Sequence, residues 1–220
     1  MTDRARVLGA LGTVYDPELD EPITTLRFVT SCDVSAGGDV AVRLRLPTPQ
    51  CAPNFAYLMA ADAQAAVQQL PGVARVSVVL EDHYTGHEIN SAVESGTGFE
   101  GAFPGETEGQ LDALRTLFHR KALVARQGRL LEGLEDPASM TLGELSGFDA
   151  ERCRSLRVAL GIDADASAPA FVKGDGTPVS AEEIPRFKRM ASLTALSLET
   201  NGGMCRDLLK VRYAQEGVAA

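Results

Sequence analysis

Val40-Ala41-Val42-Arg43-Leu44-Arg45-Leu46-Pro47-Thr48-Pro49-Gln50-Cys51-Ala52-Pro53 passes from a strand into a helix. Val40, Val42, Leu44 and Leu46 alternate with Arg43 and Arg45, the period of a strand with one buried face. Pro53 falls where a first helical turn accepts a residue without an N–H. Cys51 lies between the two elements, where free backbone N–H groups and the positive end of a helix dipole favour thiolate over thiol. The spacing marks Cys51 as a candidate metal ligand or nucleophile.

Working outward, Leu26, Phe28, Cys32 and Val34 alternate ahead of the turn Ala36-Gly37-Gly38-Asp39, which predicts a hairpin. Val7, Leu8, Leu11 and Val14 recur at helical spacing before Asp16-Pro17 breaks the pattern. Phe55, Leu58, Met59, Ala63, Ala66, Val67 and Leu70 form a helical stripe that Pro71-Gly72 ends, and Val76, Val78 and Leu80 read as a third strand. The order is α-β-β-α-β. Alternating strands need cover on one face only, so the expected class is α+β, with helices on one face of a small mixed sheet over residues 1–93.

Glycines 96, 98, 101, 105 and 109 with Pro104 predict an irregular linker over 94–110. Gly96-Thr97-Gly98-Phe99-Glu100-Gly101 matches a dinucleotide fingerprint by letter, but no strand leads into it and Pro104 interrupts the helix that should follow. Residues 111–220 read as a mainly helical domain that binds a client or partner. Thr107-Glu108-Gly109-Gln110 has the form of a capping box for a helix running to about Leu134, and Thr141 to Glu144 and Ser180 to Glu183 repeat that signal. Asp149 is placed to cap a helix ending at Leu160. Phe171-Val172 with Gly174-Asp175-Gly176 predicts a small hairpin, and Thr194, Leu196 and Leu198 a last strand before a helix from Met204 to Tyr213.

The 220 residues are 45% hydrophobic and 23% charged, with a net charge of -9. That charge disfavours nucleic acid and anionic membrane surfaces, both polyanions. No apolar run reaches the ~18 residues of a membrane span, and Met1-Thr2-Asp3-Arg4 carries no apolar signal core, so a cytoplasmic protein is expected. Cys32, Cys51, Cys153 and Cys205 form no C-x-x-C pair, hence neither a zinc ribbon nor a disulfide framework is signalled.

Asp16-Pro17-Glu18, then Ile23, Leu26 and Val29, then Thr48-Pro49-Gln50-Cys51, then Leu70-Pro71-Gly72-Val73 ahead of Val76, Val78 and Leu80 form an ordered set. Over residues 4 to 82 it resembles the metal-sulfur cluster assembly factor family, the iron-sulfur assembly domain of the SufT and PaaD type. The resemblance implies that Asp16, Glu18, Thr48 and Cys51 lie on a functional surface that helps insert iron or iron-sulfur clusters into client metalloproteins. Members often carry glycine where this chain has Arg27, and proline directly after the cysteine where it has Ala52; their frequent tryptophan after the last strand is absent. Longer chains of this type resemble accessory proteins of bacterial multicomponent monooxygenases with carboxylate-bridged iron, which suggests such a subunit as client.

His83 and His87 lie four apart beside Asp82 and Glu88, and would share one face if the segment were helical, although Gly86 weakens that helix; both are candidate metal ligands. Cys205, near the start of the last helix, is a second dipole-favoured thiol that could approach Cys51 across domains or a dimer. Cys32 and Cys153 fall on apolar stripes and read as packing residues. Arg115, His119, Arg126 and Arg129 share one stripe of the long helix, a solvated face or a docking surface for an acidic client or for the chain's own first domain. The leading expectation is a non-enzymatic maturation factor that transiently binds iron or an iron-sulfur cluster through Cys51, with Asp16 and Glu18 as hard oxygen ligands. A metal-free chaperone or adaptor for an oxygenase subunit and a thiol enzyme using Cys51 with His83 or His87 as base are the alternatives. A homo-oligomer is compatible with all three.

Overall fold

The computed structural model describes residues 2–105 and 108–213. The described residues up to Asp112 and those from Gly202 to Tyr213 make one compact unit, and Ala113–Asn201 make a second. In the first unit, α1 (Arg4–Leu11) is capped by Asp3, whose carboxylate accepts from Arg6 N at 2.9 Å. A two-residue antiparallel ribbon follows, β1 (Tyr15–Asp16) against β2 (Glu21–Pro22). The main sheet has the order β3-β4-β5, with β3 (Val29–Val34) antiparallel to β4 (Asp39–Arg45) and β4 parallel to β5 (Arg75–Glu81). The parallel pair requires a crossover, which α2 (Pro53–Gln68) supplies, and α3 (Gly86–Ser95) follows β5.

This is the expected mixed sheet. Val40, Val42 and Leu44 are buried while Ala41 and Arg43 between them are exposed, so one face of β4 meets the core. On the open side Glu81 binds Arg43 at 2.8 Å and the Thr30 hydroxyl at 3.1 Å. Cys32 is buried in the core, as its strand pattern required.

Arg27 sits at φ 61 between the ribbon and β3. Left-handed backbone costs a residue with a Cβ about 1–2 kcal/mol, which accounts for the glycine of similar chains at this place. Arg27→Gly is therefore expected to stabilise the first unit by about 0.5–1 kcal/mol after the entropy of the freer unfolded chain is subtracted. Urea denaturation of the variant beside the wild type checks this.

The glycine-rich stretch departs from expectation. It holds the end of α3 and a short helix, α4 (Gly98–Ala102). The reason is Phe99, buried against Tyr57 at a centroid separation of 5.3 Å and against Phe103 at 5.1 Å. Aromatic burial orders residues that glycine content alone would leave free. Gly96, at φ 67, is the C-cap of α3, so the letters of the dinucleotide fingerprint belong to a helix end and a helix start. Thr107 of the predicted capping box lies outside the described residues.

Helices dominate the chain from there on: α5 (Glu108–Leu130), α6 (Phe148–Leu160) and α7 (Ile184–Tyr213). Within the second unit α5 and α7 cross closely at Gly128, where a Cβ would meet the Ala191 carbonyl carbon at 2.6 Å. The strand expected at Thr194, Leu196 and Leu198 is helix instead. Ala191, Ala195 and Leu198, spaced four and three apart, are buried, whereas Leu193 and Leu196 are exposed, so the helical period governs. The Thr141 box exists, with Glu144 accepting from Thr141 N at 2.6 Å, but it closes a single 3₁₀ turn, Leu142–Glu144. Glu183 reaches back to Ser180 N at 3.1 Å. The small hairpin is present as a tight turn: Val172 bridges Pro178, Lys173 N donates to Thr177 O at 2.8 Å and Val179 N to Phe171 O at 3.1 Å. Cys153 is buried as expected.

Gly147, not Asp149, precedes α6 as its N-cap. Asp149 instead binds Arg126 at 2.7 Å and approaches Arg129 at 3.5 Å. Arg126 is buried, so the basic stripe of α5 is not a continuous exposed docking face: an acid on the neighbouring helix takes up part of it. Among the described residues no helix is long and apolar enough to cross a membrane.

Candidate functional site

The C-terminal end of β4 delivers the chain to the cysteine. Leu46 and Pro47 are buried and anchor the strand exit, and the turn from Thr48 closes with Cys51 N donating to Thr48 O at 3.3 Å. The Thr48 hydroxyl lies 3.6 Å from the Cys51 sulfur. Ala52 is the N-cap of α2 and Pro53 takes its first turn, which leaves Cys51 one residue outside the helix and half-buried.

The loop after β5 fixes this turn from the other side. Tyr84 N donates to Pro49 O at 3.1 Å, and His83 Nε2 lies 2.8 Å from the Cys51 carbonyl oxygen. A carbonyl only accepts, so Nε2 carries the proton, and Nδ1 accepts from Thr85 N at 3.3 Å. His83 thus engages the Cys51 backbone through one ring nitrogen and Thr85 through the other. Helix α3 begins only at Gly86, so His87, exposed in its first turn, and His83, ahead of its N-cap, do not share a helix face.

Asp16 is buried, and one carboxylate oxygen accepts from Glu18 N and Leu19 N at 2.9 Å each. Burial nevertheless lifts its pKa to about 6, with the charges of Glu18 and Glu21 adding to the rise. Glu18 is half-buried beside it.

Cys205 belongs to the first unit. Burial pushes its thiol up to about 11, and the nearby charges of Asp16, Cys51 and Glu18 act in the same direction. Cys205 thus lies within electrostatic reach of Asp16, Cys51 and Glu18, and the Thr48 hydroxyl stands against Cys51. Among the described residues no three His, Cys, Asp or Glu side chains are gathered as a metal-holding group, so Cys51, His83, His87 and Cys205 are not a closed four-ligand cage.

Sequence reasoning missed the residues that bring Cys205 here. Arg206 binds Glu21 of β2 at 2.6 Å, Arg212 binds Asp82 at 2.8 Å, and the Tyr213 hydroxyl donates to Asp82 at 2.8 Å. The expected helix from Met204 to Tyr213 carries the spacing of 205, 206, 209, 212 and 213, but nothing local names Glu21 and Asp82 as its partners. An open depression of about 430 Å³, lined by Asp33, Ser35, Asp39 and Arg75, lies at the opposite end of β4 from Cys51 and is no part of this group.

Residues 4–78 match the family model described as iron-sulfur cluster assembly protein. An uncharacterized protein of Methanocaldococcus jannaschii is 33% identical over 94 residues, which is 43% of this chain and 97% of that relative. An iron-sulfur cluster carrier protein of Mycobacterium leprae is 36% identical over 78 residues, 36% of this chain and 20% of that protein. No solved structure matches the chain.

Proposed function

Because the chain belongs, through residues 4–78, to the iron-sulfur cluster assembly protein family, we propose that it carries iron or an iron-sulfur cluster on Cys51 and passes it to a client metalloprotein. The observation that supports this most is a half-buried thiol on a turn that Tyr84 and His83 fix through its backbone, with the Thr48 hydroxyl at 3.6 Å. A fixed backbone holds the sulfur in place while its own coordination stays open. Among the described residues Cys51 is not gathered with two further His, Cys, Asp or Glu side chains, which leaves positions for an incoming client ligand, so the cargo is exchangeable. Nothing in this role requires bond-making on a substrate, and the protein acts as a non-catalytic accessory factor. The resemblance of longer chains to monooxygenase accessory proteins makes a subunit with carboxylate-bridged iron the proposed client class.

The test is transfer. Wild-type protein, reconstituted without oxygen with ferrous iron and sulfide, is expected to load an apo-ferredoxin faster than free iron and sulfide do. Cys51→Ala with an unchanged circular dichroism spectrum is expected to lose that acceleration. Transfer at the wild-type rate by Cys51→Ala would overturn the reading.

A further inference from the structure

The stretch Gly202–Tyr213 of α7 lies outside the family-matched residues yet belongs to the same compact unit. Cys205 and Leu209 pack against the core of the α+β module, and Arg206 binds Glu21 at 2.6 Å, so this part of the helix is seated on it. Arg212 and Tyr213 converge on one carboxylate. The Arg212 guanidinium and the Tyr213 hydroxyl each donate to Asp82 Oδ2 at 2.8 Å. The Tyr213 ring is buried against the Arg45 guanidinium, 4.5 Å from its centroid, and its hydroxyl lies 3.4 Å from the Leu46 carbonyl oxygen.

Asp82 is where this grip acts on the site. It has φ 51, a left-handed conformation that a residue with a Cβ keeps only where its surroundings hold it. The turn it makes leads the chain from the end of β5, at Glu81, into the loop of His83 and Tyr84. His83 Nε2 then meets the Cys51 carbonyl oxygen at 2.8 Å, and Tyr84 N donates to Pro49 O at 3.1 Å. From the other side, Arg45 and Leu46, which Tyr213 also touches, lead the chain out of β4 towards Thr48 and Cys51. The end of α7 therefore touches both segments that build the Cys51 turn.

We infer that Arg212 and Tyr213 are positioning residues for Cys51: by holding Asp82 in its left-handed turn they keep His83 and Tyr84 on the Cys51 turn, and release of the grip opens the thiol. The inference rests on the reading of Cys51 as the cargo residue and deepens it by naming what controls access to that residue. The Arg212–Asp82 pair is half-exposed, and pairs of that kind are individually weak and screened by salt. The grip is thus releasable without unfolding the unit.

Iodoacetamide alkylation of the native chain, read at the Cys51 peptide by mass spectrometry, tests this without metal. Arg212→Ala/Tyr213→Phe, which keeps the ring, is expected to speed alkylation of Cys51 about fivefold, the scale on which such contacts act, with an unchanged circular dichroism spectrum. Hydrogen exchange of the Tyr84 amide is expected to quicken with it. Asp82→Ala loses the acceptor and tolerates the left-handed turn poorly; it is expected to act likewise, and to add nothing when combined with the double variant, because the three residues lie on one path. Asp82→Asn keeps an acceptor oxygen and tolerates that turn, and is expected to stay near the wild-type rate. Arg206→Ala removes the separate tie to Glu21 and is expected to change the Cys51 rate by less than about twofold. Wild-type rates at Cys51 and Tyr84 in the double variant overturn the inference, as does an equal speed-up in Arg206→Ala, the mark of a generally loosened helix. Iron retention separates this inference from the carrier reading. Iron lost in Cys51→Ser, with wild-type alkylation in the double variant, refutes the positioning role and leaves the carrier reading standing. Faster alkylation in the double variant, with iron still bound by Cys51→Ser, supports the positioning role and refutes the carrier reading.

Discussion

Asp16→Asn is expected to stabilise the first unit by about 3 kcal/mol at pH 7.5 relative to the wild type, and to abolish that advantage at pH 3.5. The folded carboxyl titrates at about 6 against an ordinary 3.8. Below 3.8 both folded and unfolded chains hold the proton, and the wild type pays nothing for burial. Between 3.8 and 6 the unfolded chain releases a proton that the folded one keeps, so wild-type stability falls as pH rises, by about 1.4 kcal/mol per pH unit over roughly two units. Above 6 the loss is complete. Asparagine carries no charge and keeps an oxygen to accept from Glu18 N and Leu19 N, so it retains the turn without the penalty. Urea denaturation of both forms from pH 3.5 to 8 reads the difference between them, in which the other acids cancel. Parallel curves at all pH values would contradict the account.

Arg157→Ala is expected to cost the second unit on the order of 4 kcal/mol or more, enough to unfold it at moderate temperature. Arg157 has no exposed surface, and its guanidinium donates to the carbonyls of Asp163 at 3.2 Å, Pro169 at 2.9 Å and Ala170 at 2.6 Å. No carboxylate shares the charge in these bonds, and burial pulls its pKa down. Truncation removes the charge, yet it leaves three carbonyls without their donor and opens a cavity the size of the lost side chain. Arg157→Lys is expected to recover part of the loss, since an ammonium reaches fewer of the three carbonyls at once. Thermal denaturation followed by circular dichroism measures both, and an Arg157→Ala midpoint within a few degrees of the wild type would contradict the argument.

The sheet was legible because every strand alternates and one face is covered: Val40, Val42 and Leu44 announced their own burial. The turn holding Cys51 was legible from Pro47, Pro49 and Pro53, which restrict the backbone locally. What failed was non-local. Leu196 and Leu198 alternate like strand residues, but contact of α5 with Ala191 and Ala195 fixes the helical period there, and no local pattern carries that information. The helix expected from Met204 to Tyr213 is present, but its partners were not legible, because Arg206 and Arg212 are explained only by Glu21 and Asp82, over a hundred residues away in sequence. His83 and His87 were paired by spacing, whereas the helix start at Gly86 falls between them. Arg126 looked like surface until Asp149 on α6 met it.

The most direct test of the account is the iron content of the anaerobically reconstituted chain, measured with its thiolate-to-iron absorption band. Wild-type protein should retain iron after desalting and show the band, and Cys51→Ser, equally folded, should retain none and lose it. Iron and band persisting in Cys51→Ser would contradict the claim that this sulfur holds the cargo.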